Sequence, residues 1–206
     1  MDLVFATNNL HKISEIEILI ERHLINYKYL YKILSLDEIN CFEDIPENCN
    51  TLEGNASQKS MYVYKNFNKN CFADDTGLEI EALDGRPGVY SARYAGNERD
   101  FEKNMNKVLS ELEGRKSRKA RFRTVISLII DGEEKLFEGI VNGNIIAEKR
   151  GEKGFGYDPI FQAEGYNISF AEMTLDEKNK ISHRGIAALK LINYLQESSK
   201  KIDKKT

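Results

Sequence analysis

Cysteine is scarce in this chain: Cys41, Cys49 and Cys71 are the three among 206 residues, and no Cys-x-x-Cys pair occurs. An odd count argues against a disulfide framework, and without paired ligand spacing there is no zinc motif to read. Long apolar runs are missing too. No stretch approaches the roughly 18 residues of a membrane-spanning helix. The opening Met1-Asp2-Leu3-Val4-Phe5-Ala6 lacks the basic flank and length of a signal peptide, and reads as a core strand of a cytoplasmic protein. Net charge is only −3, too balanced for a general binder of nucleic acid or membrane surfaces. The glycine-rich phosphate loops, Gly-x-Gly-x-x-Gly and Gly-x-x-x-x-Gly-Lys-Ser/Thr, are also lacking.

What is present is enough for one domain. Apolar residues make up 41% of the chain, with ten Phe and ten Tyr to fill a core. The expected organisation is a single domain over 1–198 and a frayed lysine-rich tail over 199–206. Residues 3–6 read as a buried strand, and Asn8 and Asn9 as caps for a helix over about 10–23 with Ile13, Ile16, Ile20 and Leu24 at helical spacing. A strand is expected over 27–36, a helix over 55–67, a short strand over 71–73 and a helix over 98–112. A hairpin follows, 120–130 and 135–141, joined at Asp131-Gly132. Asn142-Gly143-Asn144 reads as a further turn before a strand over 145–148, and a helix over 184–196 closes the chain. The order is α/β with a mixed sheet.

Several segments carry chemistry. In Phe72-Ala73-Asp74-Asp75-Thr76-Gly77-Leu78 a strand delivers two adjacent carboxylates to what reads as a tight turn, and a bound cation is the usual way to keep both charged. In Ala6-Thr7-Asn8-Asn9-Leu10-His11-Lys12 a strand ends, polar residues turn and a helix begins with a lysine in its first turn, which suits a phosphate as well as it suits an ordinary cap. Residues 35–58 hold six acidic side chains and no Lys or Arg, a negative field for a cation or simply a polar loop. Gly154-Phe155-Gly156-Tyr157-Asp158-Pro159 sets two aromatics beside exposed backbone, which fits a purine base or a plain turn. Ser182-His183-Arg184-Gly185, with Lys178 upstream, gathers donors at a helix start where Ser182 is a plausible cap.

Taken together and in order, these blocks resemble the signatures of the inosine/xanthosine triphosphate pyrophosphatases. Pro87-Gly88-Val89-Tyr90-Ser91-Ala92-Arg93-Tyr94 and Thr51-Leu52-Glu53-Gly54-Asn55-Ala56 with Lys59 add to the match, which spans about residues 3–196. Gly54 departs from the pattern, which often has an acidic residue there. The resemblance implies an elongated mixed sheet flanked by helices, in two lobes with the active-site cleft between them. It implies hydrolysis of ITP, dITP and XTP to the monophosphate and pyrophosphate, magnesium as cofactor, and a homodimer without nucleic-acid or membrane partners. Carried over by position, Asp75 is the catalytic base and a metal ligand with Glu47, while Asp74 tunes the site from behind. Substrate contacts fall on Thr7, Asn8, Asn9, Leu10, His11, Lys12, Lys59, Thr76 and Arg93 around the phosphates. They fall on Phe155, Gly156, Tyr157, Asp158, Lys178, His183 and Arg184 around the base. Removal of Lys178 is expected to affect base selectivity more than stability.

The related Maf-type nucleotide pyrophosphatases share the general architecture and reaction, but the purine-pocket blocks favour the first family; two further rivals follow from the same residues. A haloacid-dehalogenase-type phosphatase needs Asp-x-Asp, with both carboxylates on one strand face, whereas Asp74 and Asp75 are adjacent. A nucleic-acid module is suggested by Arg115, Lys116, Arg118, Lys119, Arg121 and Arg123, although a solvated strand edge explains them too.

Overall fold

The computed structural model describes residues 1–23 and 31–203, excepting the side chains of 201–203. The chain folds in the order β1 (Asp2–Phe5), α1 (Leu10–His23), β2 (Lys32–Leu34), α2 (Leu52–Phe67), β3 (Cys71–Ile80), β4 (Pro87–Gly88), α3 (Phe101–Glu111), β5 (Lys119–Ile130), β6 (Glu133–Ile145), β7 (Phe161–Ala163), α4 (Leu175–Ile181) and α5 (His183–Asp203). One seven-stranded mixed sheet runs β2-β1-β3-β5-β6-β7, with β4 added to the far end of β3. β1 pairs in parallel with β2 and β3; β3, β5 and β6 form a long antiparallel spine.

The sheet is longer than any one core can cover. At the β1 end, α1 and α5 bury Leu3, Phe5, Phe72 and Leu128 on one face. On the other face α2 covers Val4, Ala73 and Ile129 through Val63. The opposite ends of β3, β5 and β6 build a second core with α3, in which Leu78, Phe122, Phe161 and Phe170 meet Met105 and Val108. Two lobes on one continuous sheet result, and the cleft between them is where β3 passes from one core to the other.

Three expectations change here, each for a physical reason. First, β3 does not stop at Ala73. Asp74, Asp75, Thr76 and Gly77 are interior strand residues paired with Ile126, Val125, Thr124 and Arg123 of β5. Second, Asn142-Gly143-Asn144 is not a turn, because β6 runs unbroken through it. A Cβ on Gly143 would lie 2.2 Å from the Gln162 carbonyl oxygen, so glycine is there to admit β7, not to bend the chain. Third, α5 continues to Asp203, past the expected end near Gln196, because Ser199 is buried against the Tyr31 hydroxyl at 2.7 Å. The frayed tail expected from 199 therefore does not begin there. Leu24 and much of the strand expected over 27–36 lie outside the described residues.

The basic run also finds a different setting. β5 is an internal strand, not an edge. Arg121 pairs with Glu79 at 2.6 Å, and Arg123 is held by Glu53 and Glu138.

Candidate active site

Alternation along β3 decides what the paired aspartates do. Neighbouring strand residues point to opposite faces of a sheet. Asp74 turns toward α1 and α5, where it meets Lys12 Nζ at 3.0 Å and Arg184 Nε at 3.3 Å. Asp75 turns toward α2, where its Oδ2 accepts from Asn55 Nδ2 at 3.0 Å and its Oδ1 lies 3.9 Å from Lys59 Nζ. Backbone oxygen joins the two faces: the Asp74 carbonyl accepts from Lys59 Nζ at 2.7 Å and from Lys12 Nζ at 3.4 Å. Lys59 also reaches Glu47 Oε1 at 2.5 Å, so Glu47 and Asp75 flank the same ammonium.

These charges are unequally settled. Burial opposes the charge on Asp74, yet Lys12, Arg184 and Lys59 hold its carboxyl far below the ordinary range. At Asp75 burial wins and raises the carboxyl. Burial likewise lowers Lys12, with Lys59 and Arg184 adding repulsion against the attraction of Asp74. Lys59 goes the other way, because Asp75, Glu47 and Asp74 outweigh its desolvation. Glu47 is lowered, Lys59, Lys12 and Arg99 together overcoming its burial.

Asn9 caps α1, its Oδ1 accepting from the amides of His11 and Lys12 at 3.1 and 3.2 Å. With those amides already engaged, the Lys12 ammonium carries most of the positive charge at this helix start. α2 is capped by Thr51 Oγ1, which accepts from Gly54 N at 3.0 Å. A Cβ on Gly54 would lie 2.7 Å from Cys49 Cβ, so the loop that delivers Glu47 packs directly on this helix turn and leaves no room for an acidic side chain. Asn55 and Lys59, one turn apart on α2, both face β3, as expected from the sequence.

A second group of charges is assembled by α4 and α5. α4 begins with a capping box, Thr174 Oγ1 accepting from Glu177 N and the Glu177 carboxylate accepting from Thr174 N. That Thr-x-x-Glu spacing was visible in the sequence and would have placed the helix that carries Lys178. Ser182 caps α5 through Gly185 N at 3.1 Å. Lys178 Nζ lies 2.7 Å from Glu15 Oε1 and 2.6 Å from Asp158 Oδ2. Arg184 pairs with Glu15 and also donates to Thr76 Oγ1 at 3.1 Å. Asp158 Oδ2 accepts from Phe155 N at 2.9 Å, which closes the glycine-aromatic loop around Lys178. The Tyr157 hydroxyl donates to the Ser91 carbonyl at 2.8 Å, tying this loop to the Pro87–Tyr94 block. Phe155 presents a face to both cations, 5.1 Å from Lys178 Nζ and 5.5 Å from Arg184. His183 stacks on Phe122 at 4.5 Å, its buried Nδ1 has no hydrogen-bond partner, and burial holds its imidazole well below its usual value, hence neutral.

Most of these side chains line one cavity of about 390 Å³. Its wall includes Thr7, Asn8, Asn9, Lys12, Glu47, Lys59, Asp75, Thr76 and Arg93 at one end. At the other stand Phe155, Gly156, Tyr157, Asp158, Lys178, His183 and Arg184. Leu10 does not line it and is 75% exposed; His11 does not line it either, but stacks on Phe155 at 4.9 Å. Asp74 sits behind the wall, buried under Lys12 and Arg184. Glu15, Arg99 and Phe101 escaped the sequence reading. Glu15 carried a signal: it lies one turn before the buried Leu19 and next to Ile16, where an apolar residue belongs, yet it is a carboxylate. Removal of Lys178 is expected from the sequence to affect base selectivity more than stability. Buried between two carboxylates, Lys178 supports the fold as well.

Comparison with known proteins agrees with this geometry. The chain is 52% identical over 196 residues to the dITP/XTP pyrophosphatase of Flavobacterium psychrophilum, covering 95% of this chain and all of that one. It is 48% identical over 198 residues to the protein of the same name from Bacillus subtilis, covering 95% and 97%. Among solved structures, the Staphylococcus aureus Ham1 protein superposes with a TM-score of 0.85 at 38% identity, covering 96% of this chain and 100% of that one. A HAM1 protein from Coxiella burnetii gives 0.87 at 36%, covering 96% and 99%. With the Ham1 family model matching residues 3–194, nearly its whole length, the chain belongs to the Ham1 family.

Proposed function

We propose that this protein hydrolyses ITP, dITP and XTP to the nucleoside monophosphate and pyrophosphate. The observation that carries this reading is the single cavity in which lysines and carboxylates at one end face an aromatic, cation-lined slot at the other. Relatives about 50% identical over nearly the whole chain bear the name of that activity.

Hypoxanthine and xanthine carry an oxygen at C6 where adenine carries an amino group. Lys178 and Arg184 are donors only, so they favour an acceptor and leave a buried donor unpaired against adenine. Because Glu15 and Asp158 fix both side chains, discrimination requires no rearrangement of the slot. Phe155 offers a stacking face, and Lys12, Lys59 and Arg93 lie along the wall for the phosphate chain. Asp75, raised by burial and lining the cavity, is placed to orient a water and accept its proton as it attacks phosphorus, with pyrophosphate leaving.

Glu47 and Asp75 are suited to magnesium: both are hard oxygen donors on the cavity wall, both next to Lys59, and this ion commonly takes only one or two carboxylates from protein. When bound it would neutralise charge on the phosphate oxygens. Among the described residues no group of three or more Asp, Glu, His or Cys converges as a ready-made metal cage. A homodimer and a cytoplasmic location belong to the same proposal. Among the described residues no helix is long and apolar enough to cross a membrane. The pairing of Arg121 and Arg123 with carboxylates supports a protein without a nucleic-acid partner.

Product analysis tests the proposal. dITP and XTP should yield monophosphate and pyrophosphate in the presence of magnesium, with little turnover of dATP and none after chelation. Release of orthophosphate, or equal rates with dATP, dTTP or UTP, would overturn it.

A further inference from the structure

Arg99 is the one non-glycine residue of the cavity wall, among those described, with a left-handed backbone. It lies in the segment leading into α3 and its side chain lines the cavity wall. Its backbone is left-handed, with φ of 54°. The other non-glycine residues in that conformation among those described are Asn40, Asn68, Asp84 and Asp131, the types that tolerate it. A long cationic side chain held in this strained state at a cavity is the kind of outlier that accompanies ligand clamps.

The segment is anchored on both sides, so the strain is imposed by its surroundings. Asp100 caps α3, its Oδ1 accepting from Lys103 N at 3.0 Å. Phe101 packs edge-on against His11 at 6.5 Å and at a tilt against Phe155 at 6.1 Å, so at the cavity wall the segment reaches both α1 and the base loop. On the other side the Gly96 amide bonds the Arg93 carbonyl at 3.2 Å. The neighbouring acids do not engage Arg99: Glu98 and Asp100 lie 3.8 and 3.9 Å from Lys103 Nζ. Among the described residues the Arg99 guanidinium makes no hydrogen bond or ion pair, which leaves its planar fork of donors available. Arg99 and Glu47 line the same cavity, and the Arg99 charge helps to lower that carboxylate, which stands beside Lys59.

We infer that Arg99 is a polyphosphate-binding residue, gripping the two terminal phosphates that leave as pyrophosphate, from the segment that reaches α1 and the base loop at the cavity wall. The inference rests on the function proposed above. A guanidinium fork matches phosphate oxygens bidentately, and the terminal phosphates hold most of the substrate's charge. Lys12 and Lys59 are already engaged with carboxylates, whereas Arg99 is free to meet the incoming tail.

Calorimetric titration of inorganic pyrophosphate and of inosine monophosphate, at fixed magnesium, tests this on wild type, Arg99→Ala, Arg99→Gly and Arg99→Lys. Loss of the fork should weaken pyrophosphate about tenfold in the Ala and Gly variants, the worth of one or two charge-assisted hydrogen bonds, and less in Lys. Monophosphate binding should not change, and KM for dITP should rise by a similar factor with kcat nearly constant. Glycine accepts the left-handed backbone, so Arg99→Gly should keep or raise the melting temperature, which separates loss of the grip from loss of the fold. Unchanged pyrophosphate binding in Arg99→Ala, an equal loss for monophosphate, or a wild type that does not bind pyrophosphate would overturn the inference. Failure of the wild type to release pyrophosphate from dITP would instead overturn the function on which it rests.

Discussion

The two ends of the cavity handle charge to different degrees of completeness. At the base end the charged groups form a closed network: Lys178 lies between Glu15 and Asp158, and Arg184 between Glu15 and Asp74, all of them buried. Glu15 is held below its usual range despite burial, by Arg184 and then Lys178, and both cations are raised; only Asp158 is pushed up by burial, against the pull of Lys178. At the phosphate end Glu47 is lowered and Lys59 raised, yet two groups beside them remain unresolved. Asp75 is raised and Lys12 lowered, burial being the main cause of both. A closed network holds its charges in fixed positions and presents fixed donors to a base. An unresolved one gains most when a charged ligand or cation arrives, since that supplies the missing partner. On the function proposed above, one end reads the base and the other reacts.

The sharpest way to break this comparison is at Asp75. Asp75→Asn keeps the shape and the bond from Asn55 but removes the carboxylate, so dITP turnover should fall on the order of 10³-fold while the melting temperature holds or rises. Residual turnover near wild type would show that the phosphate end does not depend on this group. The base end should respond in the reverse manner. Glu15→Gln, or Lys178→Met, leaves buried charge uncompensated and should cost about 3 kcal/mol in chemical denaturation, as well as blurring ITP against ATP selectivity. A variant that loses selectivity at full stability would mean that the network is not closed.

The smallest effect concerns pH. His183 stays neutral in the fold, whereas the unfolded imidazole takes up a proton near its ordinary 6.5. Below that value the unfolded state binds more protons than the native one, so stability falls with pH. Between pH 7 and 5 the loss from this group is at most ~2 kcal/mol. Urea midpoints of wild type and His183→Gln at the two pH values check it. A loss of the same size in the variant would assign the effect elsewhere.

Much of the site was legible because its parts are local. The Asn9 and Ser182 caps, Asn55 and Lys59 on one helix face, and the adjacent aspartates depend on spacing within a few residues. The family resemblance then ordered these blocks along one chain. What escaped depends on partners far away in sequence. Glu15 finds Lys178 and Arg184 more than 160 residues later, and no helical period reveals that. Gly143 looked like a turn residue because glycine serves equally for bends and for close approach; only β7, lying against it, distinguishes the two. The aspartate pair was read as a turn because acidic residues and glycine are rare inside strands. Burial beside Lys12, Lys59 and Arg184 overrides that preference.

Sequence alone determined which groups this protein brings to its chemistry, since backbone periodicity and capping are short-range and act wherever the residues occur. Tertiary structure decided their state: which face of β3 each aspartate takes, which cations are engaged, and that Arg99 is left free at the wall of the cavity. Desolvation and Coulomb attraction depend on the distances between elements, and those distances exist only once the sheet and its helices are packed.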